Sequence, residues 1–203
     1  MAAYPPGGTY FDGKKSFNDV HIKDDEAIPT AEFLEAADAV TALFDVLGST
    51  AFKPVKSDMT GNIQKVRTRQ LESPVDSETL QDLVRNELKS KKHTATEGLL
   101  WLTRALDFTA QGLRHNLSNT NDELSVSFRE AYGKTLKPHH SMFIKPIFSA
   151  AMSATPYRKD FYAKLADEPQ QARVSKELDD WLVSLEKNVA ILNRFLATKE
   201  AKW

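Results

Sequence analysis

The feature that most constrains this chain is an apolar run near its C-terminal end. Leu178, Leu182, Leu185, Val189, Leu192 and Leu196 are spaced alternately four and three residues apart. At 3.6 residues per turn, that spacing keeps them all on one side of an α-helix. A seam about five turns long must be covered by other apolar faces, so the rest of the chain has to supply more amphipathic helices.

It does. Thr30 stands where it can cap a helix with Phe33, Leu34, Ala37, Val40, Leu43, Phe44 and Leu47 on one stripe, and Gly48 lies just past its end. A second helix is predicted from about Lys56 to Leu71, stopping before Pro74. A third turns Leu80, Leu83, Val84 and Leu88 inward. Thr94 to Glu97 has the form of a capping box and opens an apolar helix through Trp101 to about Leu117. Asn121 to Leu136 is amphipathic and is ended by Pro138. His139 to Met152 is predicted helical with a kink at Pro146, and Pro156 is predicted to occupy the first position of a short helix. No stretch alternates like a strand and no internal repeat is found. The fold class is therefore all-α with about eight helices, residues 1–27 forming an irregular arm and residues 28–203 the domain.

Composition narrows the functions. A chain of 203 residues fits one domain with a core that needs no staples. It contains no cysteine, which removes disulfide scaffolds, thiol nucleophiles and thiolate metal sites together. With 27 basic and 28 acidic residues, the net charge of −1 gives no reason to expect a nucleic acid partner. Met1 to Gly13 lacks the pattern of a signal peptide. The least charged stretch, Ser141 to Tyr157, is interrupted by Lys145, Pro146 and Pro156 and falls short of a membrane span. The expectation is a cytoplasmic protein whose dealings with membrane are peripheral.

Three features stand out against that background. Asp58, Asn62, Lys65 and Arg69 share one face of the second helix, beside an apolar stripe of Met59, Ile63 and Val66. Taken alone this is the pattern of a solvated face, with Asp58 loosely paired to Lys65. Taken as a site, it combines acceptors, donors and an amide that offers both, which suits several hydroxyls and an N–H better than a phosphate. Trp101 lies in a segment apolar nearly all round, consistent with core packing or with a flat platform for a sugar ring. His139 and His140 are adjacent, so they cannot share a helix face as a metal-binding pair does, and no metal site or cofactor is indicated.

These residues together resemble the glycolipid transfer protein family. Asp58 to Lys65 is similar to its D-x-x-x-N-x-x-K signature, Gly98 to Arg104 to its tryptophan-bearing helix, and His140 through Pro156-Tyr157 to its histidine segment. The likeness runs from about residue 28 onward, keeps the family's order, and in detail is nearest to fungal members. It implies a two-layer, all-helical sandwich whose interior opens to take lipid chains, with Phe108 and Phe148 lining that pocket. It implies that Asp58 accepts from a sphingolipid amide N–H and a sugar hydroxyl, that Asn62 and Lys65 hold sugar hydroxyls, that Trp101 stacks beneath the first sugar, and that His140 donates to the amide carbonyl. The spacing to Pro156 favours His140 over His139 for that role. Where this chain has Trp101, the branch of the family that carries ceramide phosphate has arginine, so the resemblance implies a mono- or diglycosylceramide.

One departure concerns membrane contact. Many members have tryptophan two residues after the histidine, whereas this chain has Met142. Met142, Phe143, Tyr157 and Trp203 are the candidates to share that contact, with Trp203 either meeting the membrane or folding back over the core. The expected function is a monomeric, non-enzymatic carrier or sensor of glycosphingolipids that visits membranes transiently. The alternatives are a helical protein-interaction module, a ceramide phosphate carrier, and an enzyme using Asp58 and His140 as a dyad. The last lacks a positioned serine, metal spacing or a phosphate loop.

Overall fold

The computed structural model describes residues 4–48, 50 and 52–203, so residues 1–3 of the arm lie outside it. Among the described residues there are eight α-helices and no strand beyond isolated bridges. They are α1 (Thr30–Gly48), α2 (Lys53–Glu72), α3 (Leu80–Lys89), α4 (Thr94–Ser118), α5 (Leu124–Lys134), α6 (Ile144–Ser153), α7 (Arg158–Ala163) and α8 (Gln171–Ala197).

The seam on α8 is buried along its length, Leu182, Leu185 and Leu192 completely so. It packs mainly on α4, which is also the chief partner of α2 and α5. α4 can take neighbours on several sides because it is apolar nearly all round: Leu99, Leu102, Leu106, Phe108 and Leu113 are fully buried. At Gly112 an added Cβ would stand 2.6 Å from the Phe128 ring, so only glycine lets α5 approach this closely. Arg114 on α4 ties the outer edge of the contact to α8 through Asp179 and Glu186.

Helix boundaries differ from the sequence expectation where long-range partners set them. Thr30 is helical rather than a cap, and its buried hydroxyl has no hydrogen-bond partner. The α1 start is held instead by backbone pairing: Thr30 N–H donates to Glu78 O at 3.0 Å and Leu80 N–H to Ile28 O at 2.9 Å. The capping box at Thr94 does not form, because Thr94 is already in the helix. Buried Glu87 of α3 accepts from Ala95 N–H (2.9 Å), Thr96 N–H (2.7 Å) and the Thr96 hydroxyl (2.7 Å). Its carboxylate does the work of a local cap and complements the helix dipole. α7 begins two residues after Pro156, with its Arg158 N–H capped by Glu123 at 2.7 Å.

Two further corrections bear on the site. α2 starts at Lys53, with Pro54 in its first turn, where a missing N–H is harmless. α6 starts at Ile144 rather than His139, leaving residues 139–143 outside any helix. Pro146 therefore sits in the first turn of α6 and no longer has a reason to kink it.

The described part of the arm runs against α1, α8 and the segment after α7. Tyr10 N–H donates to Leu165 O at 2.7 Å, Arg173 pairs with Asp12, and Phe17 is buried against Phe33.

Candidate functional site

α2, the start of α4, the turn before α6, and α6 itself surround one cleft of about 600 Å³. α2 contributes Pro54, Ser57, Asp58, Gly61, Asn62 and Lys65, residues that recur every three or four positions and so share a face. α4 contributes Glu97 and Trp101. The opposite wall is His140, Ile144, Ile147 and Phe148. All five predicted headgroup residues, Asp58, Asn62, Lys65, Trp101 and His140, thus border one space.

The α2 stripe is not the loose Asp58–Lys65 pair of a solvated face, because Asn62 stands between the two. Asn62 is 3% exposed; its Nδ2 donates to Asp58 Oδ2 at 3.2 Å, and its Oδ1 accepts from Lys65 Nζ at 3.2 Å. Asp58 and Lys65 remain open to the cleft. The crowding around Asp58 raises its pKa, against the opposing pull of Lys65 and the Asn62 hydrogen bond. Asn62 and Lys65 hold their places because α4 crosses α2 tightly here. A Cβ at Gly98 would stand 3.0 Å from Lys65 Cβ and 3.3 Å from Asn62 O.

Trp101 is partly exposed rather than simply packed in the core. The Arg104 guanidinium lies 4.8 Å from the indole centroid, the His140 ring stacks at 5.8 Å and 23°, and His139 meets it edge-on at 6.4 Å. The indole thus stands among one guanidinium and two imidazoles, in the kind of place where an aromatic face receives a flat, amphipathic ligand. His140 also packs on Phe148 at 4.5 Å, and its Nδ1 is 3.1 Å from the Tyr132 hydroxyl. Burial lowers the His140 pKa first, and the nearby charges of His139, Lys145 and Arg104 lower it further.

Of the two predicted pocket residues, Phe148 lines the cleft and Phe108 lies one ring deeper. Phe148 is 8% exposed, and Phe108 is fully buried 6.3 Å behind it, in contact with Phe128 at 5.3 Å. The polar rim therefore passes through Phe148 into a continuous aromatic core. Met142, Phe143 and Tyr157 are 83%, 87% and 67% exposed. Trp203 does not enter the core: it is 56% exposed and stacks on His93 at 5.3 Å and 13°.

Ile144 and Ile147 are residues that sequence reasoning passed over. They are partly exposed, line the cleft, and connect it to Met142 and Phe143. The low charge of the Ser141 to Tyr157 stretch was the available signal. Arg104 reaches Trp101 at the i,i+3 spacing of one helix, which was a signal available in the sequence, whereas Tyr132 meets His140 only through the turn after α5. No helix among the described residues is long and apolar enough to cross a membrane, and none of their acidic and histidine side chains form a group able to hold a metal ion.

Residues 28–167 match the family model described as glycolipid transfer protein. A glycolipid transfer protein of Aureobasidium melanogenum is 72% identical over the full length of both chains. The solved structure of HET-C2, a fungal glycolipid transfer protein, superposes with a TM-score of 0.91 at 61% identity, covering 94% of this chain and 97% of that one. That of FAPP2, which selects simple glycosphingolipids with the same fold, superposes at 0.85 and 34% identity, covering 93% and 94%. The three sequence motifs, the all-α fold and this breadth of similarity agree, and the chain belongs to the glycolipid transfer protein family.

Proposed function

We propose that this protein binds glycosphingolipids and carries them between membranes, gripping the headgroup in the cleft and burying the chains in its interior. The observation that supports it most is the juxtaposition in one cleft of the Asp58–Asn62–Lys65 relay, the Trp101 platform and His140, with Phe148 leading inward.

The energetics favour recognition through the headgroup. Burying a chain methylene is worth about 0.8 kcal/mol relative to water, so a two-chain lipid does not cross water unaided. A protein interior and a bilayer are similarly apolar, however, so the chains hardly prefer one to the other. Hydrogen bonds held in fixed geometry make the difference, and they reject lipids that leave the site's own polar groups unpaired. Asp58 accepts from the amide N–H and a sugar hydroxyl; Asn62 and Lys65 hold further hydroxyls; Trp101 stacks on the sugar; His140 donates to the amide carbonyl.

The protein acts as a non-enzymatic, monomeric carrier in the cytoplasm and visits membranes briefly through Met142, Phe143, Tyr157 and Trp203, with Ile144 and Ile147 beside them. Residues 1–27 serve as an arm and residues 28–203 as the transfer domain. Trp101, where arginine would suit a phosphate, favours a sugar over ceramide phosphate.

The test is transfer between vesicles, with glucosylceramide and ceramide phosphate compared, alongside the fluorescence of a variant in which Trp181 and Trp203 are replaced by Phe. The expected result is transfer of glucosylceramide with a shift in Trp101 emission, and little of either with ceramide phosphate. Equal responses to the two lipids refute the sugar platform.

A further inference from the structure

His140 has a partner that does not line the cleft. Tyr132, on α5, is 4% exposed; its ring stacks on Phe148 at 5.3 Å and 11° and meets Phe108 edge-on at 6.4 Å. Its hydroxyl lies 3.1 Å from His140 Nδ1, and among the described residues it has no other hydrogen-bond partner.

That geometry decides which nitrogen of His140 carries hydrogen. Burial raises the Tyr132 pKa, so the phenol keeps its proton at neutral pH. The His140 ring, held below the usual histidine range, is neutral there and has one N–H donor and one bare acceptor. If Nδ1 bore the hydrogen, it would donate to the Tyr132 oxygen and leave the phenol proton buried with no acceptor, an arrangement folded proteins avoid. If Nε2 bears it, Tyr132 donates to Nδ1 and every group is satisfied. With Nδ1 turned to Tyr132, Nε2 is the nitrogen left for the cleft.

We propose that Tyr132 is a positioning residue: it holds His140 as the Nε2–H tautomer, so that the cleft presents a fixed N–H donor to a ligand's carbonyl oxygen. This rests on the carrier reading, in which His140 donates to the amide carbonyl, and adds the residue that fixes that donor. A lipid lacking its acyl group leaves the Nε2–H without an acceptor, so the deacylated form serves as the control for this donor.

Tyr132→Phe keeps both ring contacts and removes only the donor, so its thermal midpoint stays close to that of the unaltered protein. The tautomer is read without lipid, from long-range ¹H–¹⁵N spectra of histidine-labelled protein, with His140 assigned by a His140→Gln variant. The expected result is a single Nε2–H form in the unaltered protein and a mixture containing Nδ1–H in Tyr132→Phe. Glucosylceramide transfer by the variant falls roughly three- to tenfold, the size of a lost neutral hydrogen bond. The preference for glucosylceramide over its deacylated form shrinks with it.

An Nδ1–H form in the unaltered protein, or a tautomer unmoved by Tyr132→Phe, overturns the proposal. So does a shifted tautomer with unchanged transfer and unchanged preference. Failure of the unaltered protein to transfer any glycolipid overturns the carrier reading instead, and the lipid-free spectrum tells the two failures apart.

Discussion

The two sides of the cleft are built differently. Its floor is the α2–α4 crossing, where Gly98 brings the backbones together, Asn62 is buried, and Asp58 and Lys65 are held through Asn62's amide. Its far wall is the stretch from His139 to Ser153: a non-helical connection followed by a short α6 that packs chiefly on α5 and exposes Met142, Phe143 and Ile147. Pre-organised donors and acceptors belong on a rigid element, while an element that admits long lipid chains must be displaced cheaply. Segments with few buried contacts and exposed backbone hydrogen bonds open at the least free-energy cost. The floor, together with His140 where Tyr132 and Phe148 anchor it, is thus suited to selecting, and the exposed remainder of the wall to admitting.

The largest expected effect comes from removing one polar group from the floor. Asp58→Val should reduce glucosylceramide transfer to background while leaving the far-UV circular dichroism spectrum unchanged. In the proposed reading Asp58 accepts from both an amide N–H and a hydroxyl, and it is open enough for valine to fit. Near-normal transfer by the folded variant would remove Asp58 from the site.

Packing separates the two sides next. Gly98→Val pushes a branched side chain into Lys65 and should destabilise the fold by about 1–3 kcal/mol, the usual cost of overfilling a tight contact. Phe143→Ser, at a position already 87% exposed, should leave the thermal midpoint unchanged and weaken vesicle binding. The same loss of stability in both variants would abolish the distinction between floor and wall.

A smaller effect follows from Asp58's raised pKa. A carboxyl whose folded-state pKa lies above its unfolded value costs stability while charged. That cost is fully present above the folded value and gone below the ordinary 3.8. Asp58→Asn should therefore raise the thermal midpoint slightly at pH 7, with the difference vanishing as the solution is acidified. Headgroup binding by the unaltered protein should move the opposite way, failing as pH falls through the raised pKa because protonation removes the acceptor. A stability difference that grows on acidification would show that Asp58 is stabilised by Lys65 rather than strained by burial.

What was legible in the sequence was whatever repeats within one helix. The α8 seam, the α1 stripe and the shared face of Asp58, Asn62 and Lys65 all follow from the 3.6-residue period, and each is where that period puts it. What was not legible came from side-chain contacts that the helical period does not specify, made within a helix, across a turn or between helices. Glu87 and Glu123 cap helices that their own first residues do not cap. Asn62, between Asp58 and Lys65 on the same helix, turns an expected ion pair into a relay, and Tyr132 on α5 reaches His140 in the connection that follows it. The start of α6 was misplaced because the apolar, nearly uncharged run reads as helix, whereas residues 139–143 lie outside any helix, tied by hydrogen bonds such as Ile144 N–H to Ser141 O at 3.2 Å.

The smallest expected effect concerns Trp203, which belongs to neither side of the cleft. Its ring lies flat on His93, the residue preceding α4, and more than half of its surface faces solvent. A stack on one exposed imidazole contributes little to folding, so deleting Trp203 should leave the thermal midpoint almost unchanged. The same exposure lets the indole enter the headgroup region of a bilayer, where an amphipathic ring is favoured. With a net charge of −1 the chain has no overall basic field to hold it on an anionic surface. Loss of one apolar contact should thus be visible as weaker binding to neutral phosphatidylcholine vesicles. The expected loss is a few-fold and smaller than that of Phe143→Ser, because Met142, Phe143, Ile144 and Ile147 remain. A drop of several degrees in the melting temperature would mean that the His93 stack secures the start of α4 and, through it, the floor. Unchanged vesicle binding would restrict docking to the α6 wall and leave the comparison sharper, with one side selecting and the other alone meeting the membrane.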